Sequence, residues 1–184
     1  LIATAQTYKY IGVENGLSNR RIFDIQKDSV GYMWFLTNKG IDRYNGKDIK
    51  HYKFIEEDKK STSPIHLGWL YFEEKGELWV IDKAGRIFRY NQERDSFNRI
   101  YKLPKTLDNI SYGYMDHNNR IWLCSKYYII LYDTQTGEVH QISNELKRDI
   151  TSIEQADGSH FFIATEKGAR YVKLENETLQ IVPL

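Results

Sequence analysis

Cysteine is nearly absent from this chain, with one residue, Cys124, among 184. A lone thiol excludes an internal disulfide and any cysteine-based metal cluster. Proline is scarce too, at three residues, and only 12 glycines interrupt the sequence. Neither sign of charge is in excess: 26 Lys and Arg oppose 25 Asp and Glu, for a formal charge of +1. The charges are mixed along the chain, so there is no electrostatic footprint for nucleic acid or anionic lipid. No apolar run approaches the ~20 residues that span a bilayer.

Aromatic residues are what the chain does have. They make up 14% of it, led by 14 tyrosines, within an apolar fraction of 41%. That mix suits a strand-rich globular protein with a real core. At the start, "LIATAQ" places small residues at Ala3 and Ala5. This is the A-x-A pattern of a signal-peptidase site, with cleavage expected before Gln6. Residues 1–5 are therefore expected to be a signal-peptide remnant, which implies export, with an arbitrary chain end as the alternative reading.

The aromatics recur. Trp34, Trp79, Trp122 and Phe162 are separated by 45, 43 and 40 residues, a period typical of blades or helical pairs. Local pattern decides between these. In the first unit, apolar runs cover Ile22–Ile25, Met33–Leu36, Ile41–Tyr44 and Ile49–Phe54, separated by Gly or Asn/Asp. Four runs of this length predict a four-stranded antiparallel meander, with strands a to d from the inside out. Gly31 and Gly76 fall in the a–b turns, and Gly40, Gly85 and Gly168 in the b–c turns. Tyr44, Tyr90 and Tyr132 close strand c, each followed by Asn or Asp at the c–d turn. Tyr90 comes one residue late, which predicts a small bulge.

A sheet that is apolar on both faces must stack on copies of itself, and radially stacked twisted sheets make a β-propeller. The expected fold is all-β: part of a propeller, with blades at 17–54, 55–101, 102–142 and 143–184. Residues 6–16, with "YKYI" at Tyr8–Ile11, read as the outer strand of a closing blade. Pro64 and Pro104 fall in the d-to-a connections. A longer ring whose exposed faces self-associate is the preferred reading. A closed four-bladed ring is the alternative.

The stretch from Glu14 to Tyr52 closely resembles the opening repeat of the two-component regulator propellers. The motif is carried by Asn15–Ser18, Asp28, Gly31, Trp34, Thr37, Gly40 and Tyr44–Asn45. The match is strong in the first blade, partial in the next two and weak in the fourth, where Phe162 and Val172 replace Trp and Tyr. The resemblance implies the extracytoplasmic sensor region of a hybrid two-component histidine kinase from a glycan-degrading bacterium. It implies a parent with two large propellers, a β-sandwich, one transmembrane helix, a kinase, a receiver and a DNA-binding region. The implied role is detection of polysaccharide-derived oligosaccharides and control of the genes that use them. Its partners would be the remaining blades and sensor domains of the parent, with ligand changing their relative placement.

No catalytic constellation stands out. His51, His66, His117, His140 and His160 lack metal-pair spacing, so no metal or cofactor is expected. Cys124 matches Leu36 in register and reads as a core side chain. The propeller-enzyme turn of the sialidases is not matched by "QKDSVGYMW". "YDTQTGE", although like a turn of quinone-dependent dehydrogenases, occurs once and reads as a plain hairpin. A carbohydrate-active propeller (hydrolase or lyase) and a protein-interaction propeller remain the alternatives to a non-enzymatic sensor. For binding, each b–c turn holds a lysine: Lys39, Lys83, Lys126 and Lys167. With Tyr127 available to stack on a sugar, they form a candidate site for an anionic saccharide or a partner carboxylate. Lysine is also common in solvated turns.

Overall fold

A computed structural model describes residues 8–52, 54, 68–73, 76–104, 107 and 110–183. The signal-peptide reading, Pro64 and His66 lie outside the described residues. The chain divides into two compact units, Leu1–Ile65 and His66–Leu184. Helix among the described residues is confined to one 3₁₀ turn, Val13–Asn15.

The first unit holds one meander: β1 (Ile22–Lys27), β2 (Met33–Thr37), β3 (Gly40–Tyr44) and β4 (Ile49–Tyr52), hydrogen-bonded in that order. Its a–b turn is built around Asp28. One carboxylate oxygen accepts the backbone N–H groups of Val30, Gly31 and Tyr32 at 2.8–3.0 Å. The other accepts the Trp34 indole N–H at 2.9 Å. Gly31 sits at φ +103°, where a side chain would be strained. Ahead of the sheet, Asp42 anchors the Asn-Gly-Leu-Ser motif. It accepts the Ser18 backbone N–H at 2.7 Å and the Ser18 hydroxyl at 2.9 Å, with Leu17 buried alongside. Residues 8–12 lie outside the four strands. Within that segment Lys9 donates to the Tyr44 hydroxyl and to the Gly46 carbonyl.

The second unit repeats the meander three times. Its sheets are β5 (Gly68–Phe72), β6 (Leu78–Asp82), β7 (Arg86–Asn91) and β8 (Ser96–Lys102); β9 (Tyr112–Met115), β10 (Arg120–Cys124), β11 (Tyr128–Asp133) and β12 (Val139–Ser143); and β13 (Ile150–Gln155), β14 (His160–Thr165), β15 (Gly168–Glu175) and β16 (Thr178–Ile181). The middle sheet is apolar on both faces because it has a neighbour on each. On one side Trp79, Ile81 and Ile87 meet Ile121, Leu123, Ile130 and Tyr132. On the other, Trp122, Cys124, Ile129 and Leu131 meet Ile153, Phe161, Ile163 and Val172. Trp79 and Trp122 are 1% and 0% exposed. Each points at the following sheet: Trp79 towards Tyr132 (ring centroids 6.3 Å apart), Trp122 towards Phe161 (4.6 Å).

The acid brace recurs with the rings. Glu73 accepts the Trp79 indole N–H at 3.0 Å, and Asp116 accepts that of Trp122 at 2.9 Å. In all three blades the acid stands six residues before the tryptophan. A buried indole N–H without a partner would be costly, so the pair is one device.

One expectation needs correction, and another takes a specific form. Phe162 keeps the register of the tryptophans, since Glu154 opposes Phe162 as Gln26 opposes Trp34. Even so it is 43% exposed, whereas its neighbour Phe161 is fully buried against Trp122. Adjacent strand residues face opposite ways, and Phe162 lies on the face turned away from Trp122. The extra residue before Tyr90 is taken up at Gly85, which lies at φ +68° with its N–H on the Asp82 carbonyl at 3.0 Å, the glycine bulge of a three-residue hairpin turn. It lengthens the b–c turn, so that Ile81 pairs with Ile87 while Leu36 pairs with Ile41.

The asymmetry is measurable by chemical denaturation. Trp122→Ala should lower stability by about 3–5 kcal/mol, while Phe162→Ala should cost under about 1 kcal/mol. Equal losses would contradict the packing direction.

Candidate functional site

Each b–c turn is closed by a polar side chain at the end of strand b. Thr37 and Thr165 accept the backbone N–H of Lys39 and Lys167 at 3.1 and 3.2 Å, and donate to the carbonyls of Gly40 and Gly168. Ser125 does the same for the N–H of Tyr127 (3.3 Å) and the carbonyl of Tyr128 (3.1 Å). In the longer turn, Asp82 accepts from the N–H groups of Ala84 and Arg86 and pairs with the buried Arg86 guanidinium at 2.6 Å.

Those anchors locate the expected binding residues. Lys39, Lys83, Lys126, Tyr127 and Lys167 are all in b–c turns and all exposed. They are not equivalent, however. Lys39 and Lys167 stand two residues after the closing side chain, whereas Lys83 and Lys126 stand one after it. Ala84 and Tyr127 take the second position in those turns. The split matches their spacing from the aromatic, five residues for Lys39 and Lys167 and four for Lys83 and Lys126. Lys126 lies over the ring of Tyr127, with its ammonium 5.3 Å from the centroid.

Two residues at the same end of the second unit were missed. Trp69 is the second residue of β5, opposite Ile81, and Tyr112 opens β9 opposite Cys124. Both are partly exposed. Their rings meet edge to face, 5.4 Å apart, and the Lys83 ammonium is 6.0 Å from the Trp69 ring. Trp69 can lie there because Gly113 has no side chain. A Cβ on Gly113 would fall 2.7 Å from Trp69 Cε3. The repeat alignment is anchored on strand b, so nothing in it marks the first residues of strand a.

Elsewhere, three of the histidines are paired with carboxylates. His51 Nδ1 and His160 Nδ1 lie 2.7 Å from Asp42 and Asp157, and His140 Nδ1 lies 2.7 Å from Glu177. Ser159, His160 and Asp157 are close together, but Ser159 and Asp157 approach the same ring nitrogen. A nucleophile triad needs them on opposite nitrogens. The hydrogen bond from His160 holds the Asp157 carboxyl below its usual range. Burial pushes up the Cys124 thiol and the Tyr101, Tyr114 and Tyr132 phenols, so they stay protonated near neutrality. Two small clefts of about 250 and 230 Å³ lie at the opposite end of the sheets. One is beside Glu77, Arg89 and Tyr90, the other beside Arg120, His140 and Glu177. Among the described residues no group of three or more His, Cys, Asp or Glu is placed to hold a metal ion.

The sequence pattern of the family described as "Two component regulator propeller" matches residues 16–39. The chain carries a regulator propeller repeat. That repeat covers the Ser18–Asp42 anchor's serine, the Asp28–Trp34 brace and the first b–c turn. No curated protein matches the sequence significantly. Among solved structures, the chain is similar to the extracellular domain of the hybrid two-component system BT3049 from B. thetaiotaomicron. Identity is 19% and the TM-score 0.73, over 95% of this chain and 26% of that one. It is likewise similar to the extracellular domain of BT4673 from the same organism, at 22% identity and a TM-score of 0.73, over 95% and 25%. Virginiamycin B lyase from Staphylococcus aureus follows at 16% identity and a TM-score of 0.65, over 91% and 58%. These likenesses establish the fold: the sheets are blades of a partial β-propeller. The chain spans about a quarter of the length of the two extracellular domains.

Asp82 gives a test of the turn architecture. Asp82→Ala strands the buried Arg86 charge and should cost about 3–5 kcal/mol in denaturant titration. Lys83→Ala, in the same turn, should cost under about 1 kcal/mol. A mild Asp82 variant would remove that carboxylate from its structural role.

Proposed function

We propose that this chain is a non-enzymatic piece of the extracytoplasmic sensor region of a hybrid two-component histidine kinase. In this reading it works in the periplasm and contributes to detecting oligosaccharides released from polysaccharides, so that genes for their use are switched on. The observation that carries the proposal is the regulator propeller repeat at 16–39, within blades that share their fold with extracellular domains of hybrid two-component systems.

Two structural features support it. Trp79 and Trp122 each seat a following sheet, and the Phe162 face continues that series without one. A further blade of a longer parent is the occupant that fits. Residues 8–12 would then complete the last blade of its ring. At the b–c end, Lys39, Lys83, Lys126, Lys167 and Tyr127 are exposed side chains on turns held rigid by side-chain hydrogen bonds. Binding groups on pre-set turns lose less entropy when a ligand arrives.

Calorimetry on the complete exported region, with a panel of plant and host oligosaccharides, tests the proposal. The expected result is saturable binding of one glycan class, with the same glycan recovered intact after prolonged incubation. Cleavage of the glycan would move the chain to the carbohydrate-active enzymes. No binding by any member would remove the saccharide-sensing reading.

A further inference from the structure

We infer that the b–c end of the second unit is a binding platform for an acidic oligosaccharide, built from two ring-and-ammonium pairs on neighbouring blades. One pair is Trp69 with Lys83, buttressed by Tyr112. The other is Tyr127 with Lys126. This deepens the reading of the chain as a saccharide sensor and rests on it.

The geometry of the first pair carries the argument. Trp69 is fixed from below, its edge against the Gly113 backbone and the Ile81 side chain, and from the side by the Tyr112 ring. The Tyr71 hydroxyl donates to the Gly113 carbonyl at 2.8 Å and ties the same two strands together. The indole is thus held by blade-to-blade packing yet is not buried. A large ring held in place at partial exposure is a stacking surface, since an aromatic face attracts the weakly positive C–H groups of a sugar ring. The fully enclosed Trp79 and Trp122 offer no such surface.

The ammonium groups select the ligand. Lys83 hovers over the Trp69 ring and Lys126 over Tyr127, each in the weak attraction of a cation for a π face. A neutral sugar must displace the ammonium to stack and offers it only uncharged hydroxyl acceptors in return. A sugar carrying a carboxylate or sulfate takes up the ammonium in a charge-assisted hydrogen bond and frees the ring face in the same motion. The two pairs belong to neighbouring blades and not to one turn, which suits a chain of sugar units over a single ring. Tyr127 is 67% exposed, so the second pair is open to solvent.

The experiment is calorimetry on the full chain with a galacturonic acid tetramer and a chondroitin sulfate tetrasaccharide as acidic probes, and cellotetraose as the neutral one. At least one acidic probe should bind about 10-fold or more tightly than cellotetraose, and its affinity should fall as salt is raised. Lys83→Gln combined with Lys126→Gln should weaken that probe by about 10-fold or more, and Tyr127→Ala by about 5-fold. Circular dichroism of these surface variants should match the parent chain. Equal or better binding of cellotetraose would overturn the acidic class. Acidic binding unchanged in the variants would overturn this location while leaving saccharide sensing intact. Failure of all three probes on this chain, when the complete exported region binds a glycan, would place the site elsewhere in the parent. Failure of both would remove the sensor reading as well.

Discussion

Everything in the second unit depends on a large ring pressed between two small sheets. A four-stranded meander has two faces and too little apolar area to stand alone. Trp79 and Trp122 solve this by filling the space between one sheet and the next, and Asp116 and Glu73 make that tolerable by accepting the indole N–H groups inside the core. The Asp116 carboxylate also shapes its a–b turn. It accepts the N–H groups of Asn118 and Arg120 and pairs with the Arg120 guanidinium at 2.8 Å. In that blade one acid therefore couples turn geometry to sheet stacking.

A scaffold of this kind separates stability from recognition. The wedges and braces are inside or at the a–b end, while the b–c end carries turns closed by Thr37, Asp82, Ser125 and Thr165. Side chains between those closing groups are exposed and little committed to packing. They can vary without cost to the fold, which is where ligand choice is expected to reside. Trp69 is the exception, because it serves both purposes. Its edge packs on Gly113 while part of its ring stays accessible.

Much of this was legible in the sequence. The four meanders, the turn glycines, the buried Cys124 and the Asn/Asp residues opening the c–d turns all follow from local pattern, and the strands begin and end within a few residues of where that pattern puts them. Three things were not legible, each for a physical reason. Phe161 and Phe162 are adjacent and point to opposite faces, so which is buried depends on which neighbouring sheet is present, and no local pattern carries that. The lysines stand five, four, four and five residues after the aromatic, but what the two spacings mean in the turn shows only once Thr37, Asp82, Ser125 and Thr165 are seen closing it. Trp69 and Tyr112 meet across two sheets, a contact between residues 43 positions apart. The acid six residues ahead of Trp34, Trp79 and Trp122 was present throughout as a spacing, but its partner, the indole N–H, became apparent only in the folded core.

The most direct measurement of the wedge is a double-mutant cycle on stability between Trp122 and Phe161, with Trp122 and Phe162 as the comparison. Contact between the first two rings predicts a coupling of about 0.5–1.5 kcal/mol, and none beyond about 0.3 kcal/mol for the second pair. A Trp122–Phe161 coupling near zero, or one carried by Phe162 instead, would contradict the stacking on which this account rests.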